Sequence, residues 1–277
     1  MVKHKITQIC PRLSIFILMI DWLLDIGNTD LVLGRWGKYN TEPQIHRLKI
    51  GLIKENIFHF ENLLKKIVTE NDPEDEILVT MSSVVPDITD QITDAIHRIT
   101  GLKVTPLNQH TYKYLPITIL QPSEIGTDLV ANALAVHLKY KTNSIVVDFG
   151  TAMSFTTVNP DGEIIGVCIA PGLQTAIKSL TSNTAQLFEV PIIQPASALG
   201  KNTEQAIQAG ITYGYDGLVK GLILAQEKEL GLKLNVVCTG GLSKIIFTLL
   251  DRIDHYSPHL TLEGLREAGR IIRTKME

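Results

Sequence analysis

The chain has 277 residues, of which 44% are apolar, 20% charged and 6% aromatic, and its formal net charge is −3. That length supports a sizeable core without disulfide staples, and the apolar share excludes disorder over most of the chain. The slightly acidic balance argues against a basic face of the kind that binds a phosphate backbone, so no nucleic-acid partner is expected, although local dipoles can still hold a small nucleotide.

In chain order, Lys3, His4, Lys5 and Arg12 precede the apolar run Leu13–Ile20. Two readings are open, a signal peptide or an extension over residues 1–18 upstream of Met19. The absence of a small-x-small cleavage site favours the extension. Asp21 and Asp25 interrupt the run short of the roughly 20 apolar residues of a membrane span, so no membrane partner is expected. A strand over Trp22–Asp25 then turns through Gly27 into a second strand, with a third at Gln44–Ile50. Ile57–Glu70 reads as a helix, because Ile57, Phe60, Leu63, Leu64 and Ile67 fall on one face. Strand Ile77–Ser82, helix Asp87–Ile99, short strand Leu102–Thr105 and helical run Val130–Tyr140 follow.

The second half begins with strand Ile145–Phe149 and its partner. The turn Asn159-Pro160-Asp161-Gly162 leads into strand Glu163–Ile169. Helical stretches at Leu173–Leu180 and Thr203–Gly231, strand Leu234–Cys238 and an amphipathic helix Leu262–Lys275 complete the chain. Residues 23–33, LLDIGNTDLVL, are echoed by residues 146–158, VVDFGTAMSFTTV; Asp25 aligns with Asp148 and Gly27 with Gly150, an offset of 123. This repeat predicts an α/β fold of two similar lobes, 19–142 and 143–277, with an interlobe cleft, where ligands are expected.

Cys10, Cys168 and Cys238 are odd in number, far apart and form no C-x-x-C. That fits neither a disulfide framework nor a zinc site and points to a reducing cytoplasm. His255 and His259 are four apart, but Pro258 breaks any helix that would stack them as metal ligands.

Four motifs carry candidate chemistry, each beside a plainer alternative. Asp25-Ile26-Gly27-Asn28-Thr29 presents backbone N–H groups and two polar side chains to an anion, with Asp25 placed to hold hydrated magnesium, or is a hairpin turn. Asp148-Phe149-Gly150-Thr151-Ala152 repeats it, presenting Thr151 to a phosphate and leaving Asp148 in need of a cation or donors. Gly126-Thr127-Asp128 opens a helix, so Asp128 is a cap or a base for a substrate hydroxyl. Thr239-Gly240-Gly241 lets a flat ring approach the backbone, or is a strand-to-helix turn; Thr181–Ala185 is a substrate contact or a helix start.

Together these residues resemble the type III pantothenate kinases of the acetate and sugar kinase, Hsp70 and actin superfamily. The family's D-x-G-N-T is matched by Asp25–Thr29, S-S-V-x-P by Ser82–Pro86, and three letters of G-x-D-R by Gly126–Leu129. D-x-G-T-A is matched by Asp148–Ala152, I-x-P-G by Ile169–Gly172, and T-A-x-L-P by Thr184–Leu187 with Phe188 in place of proline. G-K-N-T is Gly200–Thr203, T-G-G is Thr239–Gly241, and the closing D-x-x-L-T-L-x-G-L is echoed by Ser257–Leu265, with Ser257 at the aspartate position.

The resemblance implies two ribonuclease H-like, actin-like ATPase lobes in a cytoplasmic homodimer. It implies phosphorylation of pantothenate by ATP to 4'-phosphopantothenate, the first step toward coenzyme A. By position it assigns Asp25, Ile26, Gly27, Asn28, Thr29 and Thr151 to ATP phosphates, accompanied by magnesium. Asp148 is assigned to a monovalent cation, potassium or ammonium. Gly126, Thr127, Asp128, Leu129 and Thr184 are assigned to pantothenate, Thr184 across the dimer, with Asp128 as proton acceptor.

Two departures make the acceptor site more apolar. Leu129 replaces the family's arginine, and Ile119 stands where tyrosine is common. A lost charge-assisted donor near a carboxylate costs about 1.5–3 kcal/mol. The alternatives are a substituted contact, a less anionic acceptor, a non-catalytic nucleotide-binding regulator or an acceptor-independent ATPase. Retention of Asp25, Asp128, Asp148 and Thr151 favours the kinase.

Overall fold

The computed structural model describes residues 19–71, 75–184, 186–243 and 252–276; the expected extension over residues 1–18 lies outside them. The first half runs β1 (Ile20–Ile26), β2 (Asp30–Trp36), β3 (Gln44–Lys49), α1 (Ile50–Glu55), α2 (Phe58–Val68), β4 (Ile77–Ser83), α3 (Pro86–Thr100) and β5 (Val104–Pro106). A 3-10 turn at Tyr112–Tyr114 and α4 (Thr127–Tyr140) lead into the second half. That half holds β6 (Ser144–Phe149), β7 (Ala152–Val158), β8 (Ile164–Pro171), α5 (Leu173–Ser182), α6 (Thr203–Leu230), β9 (Asn235–Thr239), β10 (His255–Tyr256) and α7 (Leu260–Met276).

The strands form two five-stranded sheets, β3-β2-β1-β4-β5 and β10-β9-β6-β7-β8, the same order read in opposite directions. In each sheet the first three strands are an antiparallel meander. The remaining strands run parallel to the first. The motif repeat is therefore a repeat of topology. Asp25 lies in register with Ser82 on β4, and Asp148 with Thr239 on β9, the equivalent strand.

Period-two alternation sorts the two faces of β1. Trp22, Leu24 and Ile26 pack in one cluster with Phe60, Leu64 and Ile67 of α2 and Ile88, Ile92 and Ile96 of α3. Burying each such side chain contributes about 1.5–3 kcal/mol. In the second sheet Ile145, Val147 and Phe149 pack with Tyr215, Val219 and Ile223 of α6. Val146, on the opposite face of β6, joins Ala135 and Val136 of α4.

Local signals mark most element ends. Gly101 and Gly231 terminate α3 and α6 in the left-handed region, at φ +71° and +68°. Asn202 caps α6 by accepting the Gln205 N–H at 2.9 Å. The Asn159–Gly162 turn closes through the Gly162 N–H on the Asn159 carbonyl at 3.0 Å, and Asn159 Oδ1 accepts the Glu163 N–H at 2.9 Å.

The expectations differ in a few places. Ile50 starts α1 instead of ending β3; its N–H, which has no partner within the helix, donates to the Thr29 carbonyl at 2.9 Å. The two-residue β10, paired with Val237 and Cys238, is too short to show a period. His255 belongs to this strand and stacks on Tyr140 with ring centroids 4.5 Å apart.

The chain forms two compact units. One holds the residues up to Pro116 with Gln121–Ala131 and Thr261–Glu277; the other holds Ile117–Leu120 and Asn132–Leu260. This differs from a single division after residue 142, since α7 belongs almost wholly to the first unit. The anchor is Asp21, fully buried, which accepts from Arg266 Nε and from an Arg270 guanidinium nitrogen at 2.8 Å each. Arg266 also lies 4.5 Å above the Trp36 ring. Gly264 and Gly269 let α7 close on its neighbours, for a Cβ at either would run into the Ala131 carbonyl or the Thr80 hydroxyl.

Candidate functional site

In the first unit the β1–β2 connection places the candidate phosphate loop. The Gly27 N–H donates to the Asp30 carbonyl at 3.0 Å and closes the turn. Ile26 is buried beneath it, while Asn28 and Thr29 are exposed. Asp25 is half-buried at the end of β1, next to Ser82. The Ser82 hydroxyl lies 2.7 Å from that of Thr127, and the Thr127 hydroxyl donates to the Ser83 carbonyl at 3.2 Å. The Ser82–Ser83 step at the end of β4 thus ties the loop strand to the start of α4.

Asp128 lies in the first turn of α4, which starts at Thr127, three residues before the expected Val130. Its Oδ1 accepts the Leu129 N–H at 2.9 Å. Desolvation by burial pushes its pKa above the ordinary carboxylate range, partly offset by the backbone N–H groups of Leu129 and Asp128. Asp128 lies one residue inside the helix, so this bond to the adjacent N–H is not an N-cap bond, and it engages one of the two carboxylate oxygens. Gly126 supplies clearance, since a Cβ there would strike the Asp128 carboxylate. Leu129 is 7% exposed. Tyr112 is buried nearby, and desolvation by burial, with added repulsion from Asp128, raises its pKa to about 12.

In the second unit Asp148 ends β6 in register with Ser154 and Thr239. Asn132 Nδ2 donates to its Oδ2 at 3.0 Å. Gly240 has φ +98°, and a Cβ there would run into Asp148 Oδ1 and the Phe149 backbone, so only glycine leaves this carboxylate its clearance. Burial raises the thiol pKa of Cys238, and the charge of Asp148 adds to the shift. Thr151 is exposed in the β6–β7 turn; its carbonyl accepts the Gly172 N–H at 3.0 Å and the Thr175 hydroxyl at 2.6 Å. That bracing explains the I-x-P-G segment, because a Cβ on Gly172 would strike the Gly150 and Thr151 carbonyls. Thr184 is exposed and its hydroxyl donates to the Leu180 carbonyl at 2.8 Å.

Asn132 and Tyr112 were absent from the expected site. Asn132 was readable in part: it is 1% exposed within an apolar stretch of α4, and a buried amide needs a partner. Tyr112 carries no such signal, since its 3-10 turn has no period. Among the described residues no cluster of three His, Cys, Asp or Glu side chains could hold a metal ion.

The family model for type III pantothenate kinase matches residues 22–225. A curated type III pantothenate kinase of Treponema pallidum (strain Nichols) is 43% identical over 198 residues, 71% of this chain and 72% of that protein. One from Moorella thermoacetica is 36% identical over 252 residues, 88% of this chain and 96% of that protein. Among solved structures, MreB 5 of Spiroplasma citri bound to AMPPNP has a TM-score of 0.52 at 9% identity, covering 93% of this chain and 98% of that one, which shows the shared actin-like ATPase fold. With sequence matches of that extent and identity, the chain belongs to the type III pantothenate kinase family.

Proposed function

We propose that the chain transfers the γ-phosphoryl group of ATP to the pantothenate hydroxyl, with Asp128 as proton acceptor. The family match supplies the reaction, and the desolvated carboxylate at the start of α4 is the observation that carries the assignment of the base. The acceptor oxygen forms a bond to the γ-phosphorus while the bond to the β–γ bridging oxygen breaks. That electron pair leaves with ADP, and the hydroxyl proton passes to Asp128. The transferring group is loosely bound in such a transition state, so positioning and charge neutralisation dominate.

Asn28, Thr29 and the turn N–H groups of the first unit, and Thr151 of the second, are assigned to nucleotide phosphates. Asp25 is assigned to the hydrated magnesium ion that accompanies ATP and offsets phosphate charge. Asp148, with the Gly240 clearance beside it, is assigned to potassium or ammonium, which would add positive charge there. Gly126, Thr127, Leu129 and Thr184 are assigned to the acceptor. We place the enzyme in the cytoplasm, supported by the free thiols Cys168 and Cys238. Among the described residues no helix is long and apolar enough to cross a membrane.

ADP release with ATP and magnesium tests the reading. The expected result is release that requires pantothenate and that falls away when sodium replaces potassium. Acceptor-independent release would indicate an ATPase, and nucleotide binding without turnover a regulator. Equal rates in both salts would remove the cation assignment at Asp148.

A homodimer completes the reading, and α6 offers a face for it. Tyr213 and Leu224 are 45% and 62% exposed, and a Cβ on Gly210, Gly217 or Gly221 would meet nothing within 4 Å. A two-fold axis at Gly217 would set Leu224 of one copy over Gly210 of the other, and Tyr213 over Gly221, a self-complementary pattern. Gly217→Arg is expected to convert a dimer to a monomer in light scattering; an unchanged dimer would exclude this face.

A further inference from the structure

We infer that Asn132 is a positioning residue for Asp148, the carboxylate assigned to the monovalent cation: its side-chain amide holds one carboxylate oxygen and so sets the other beside Gly240 and Gly150, where potassium or ammonium is bound. The inference rests on that assignment of Asp148 and extends it to a residue on which the affinity for the cation depends.

The place of Asn132 in the sequence already calls for a reason. It is 1% exposed, and its neighbours on α4, Val130, Ala131, Ala133, Leu134 and Val136, are all fully buried. A buried amide costs free energy unless its hydrogen bonds are made, and asparagine is one of the weaker helix formers. Neither packing nor helix propensity therefore favours it there. What it supplies is a bond across to the strand: Nδ2 donates to Asp148 Oδ2 at 3.0 Å. One turn further along α4, Ala135 and Val136 pack with Val146 of β6 in one cluster, which keeps the helix and the amide against the strand that carries Asp148.

The two oxygens of Asp148 have different surroundings. Oδ2 meets the amide, whereas Oδ1 faces backbone without side chains: a Cβ on Gly240 would strike it, and one on Gly150 would lie 3.8 Å from it. The terminal torsion of an aspartate is broad and nearly two-fold, so a bond to one oxygen is what selects where the other sits. Oxygen is the ligand type that a hard cation takes.

The chemistry of the donor suits the role. An amide fixes an oxygen without bringing a formal charge, whereas lysine or arginine in its place would add a cation of its own beside the carboxylate. A carboxylate ordered in advance spares ion binding the cost of ordering it, which appears as affinity. Loss of the amide should therefore weaken the hold on the cation before it changes anything else.

The test reads potassium dependence in two ways on the full chain, with sodium making up the ionic strength. Asn132→Leu keeps the volume and removes the donor; Asn132→Ala takes its place if the leucine variant does not fold. With ATP, magnesium and pantothenate saturating, the potassium concentration for half-maximal rate is expected to rise about tenfold, the scale of one hydrogen bond to a charged group. High potassium is expected to restore kcat, and KM for pantothenate to stay unchanged. Without substrates, potassium is expected to raise the thermal midpoint of the wild type, and the same rise in the variant is expected to need about tenfold more potassium. A wild type whose rate and midpoint are indifferent to potassium would remove the cation assignment, and the inference with it. A wild type that responds, beside a variant that responds at the same concentrations, would overturn the inference alone. So would a loss of rate that potassium does not restore while the midpoint still responds as in the wild type. If no phosphorylation is seen, the midpoint response decides.

Discussion

Asp128→Asn should lower kcat by about 10²–10⁴ and leave the affinity for ATP unchanged, the usual loss when a general base is removed. Asparagine keeps an oxygen that can accept the Leu129 N–H, so the start of α4 persists and lost rate is not lost fold. Burial disfavours the charged form of Asp128, which raises its pKa, while proton acceptance requires the charged form. The rate of the unaltered enzyme should therefore fall as pH drops through that raised pKa, on a limb above the usual carboxylate range, and the limb should vanish in the variant. Steady-state kcat across pH, with nucleotide affinity measured separately, checks both parts. Near-normal turnover in the variant would remove the base assignment.

Asp21→Ala should have the largest effect on stability. The carboxylate is fully buried and meets two guanidinium groups, each about one-fifth exposed. Removing it strands both arginines against the first sheet without their shared partner, and breaking a buried pair in this way costs about 3–5 kcal/mol. Urea unfolding followed by circular dichroism would show the shift in midpoint. A loss below about 1 kcal/mol, the value of an exposed pair, would mean that α7 is held by packing alone. Because α7 belongs to the first unit, a variant with weakened docking should also show early proteolysis near the end of the chain.

Much of the fold was legible in the sequence. The two D-x-G turns, the alternating strands around them and the glycines that end α3 and α6 are local signals, and each corresponds to an observed element. The repeat at an offset of 123 corresponds to two sheets of the same strand order. The candidate residues Asp25, Asp128 and Asp148 were readable as candidates, because each lies at or beside the end of a strand or helix within a short motif.

Other features were not legible, for identifiable reasons. Asp21 looked only like an interruption of an apolar run, since its partners lie 245 and 249 residues away. That pairing also moves α7 out of the second half and into the first unit. Gly240 looked like a turn glycine; its clearance against Asp148 exists only because β6 and β9 are neighbours. Leu129 looked like a lost contact in the acceptor site; that its side chain is buried and its backbone N–H donates to Asp128 could not be read from the sequence.

The sequence alone therefore determined the elements, their duplication, the family and the candidate carboxylates, because periodicity, turn chemistry and motif spacing are written over a few consecutive residues. Tertiary structure decided which unit holds the last helix, how dry Asp128 is, and which side chain holds Asp148. Those properties depend on desolvation and charge pairing among residues far apart in the chain, and neither exists until the sheets and helices have packed.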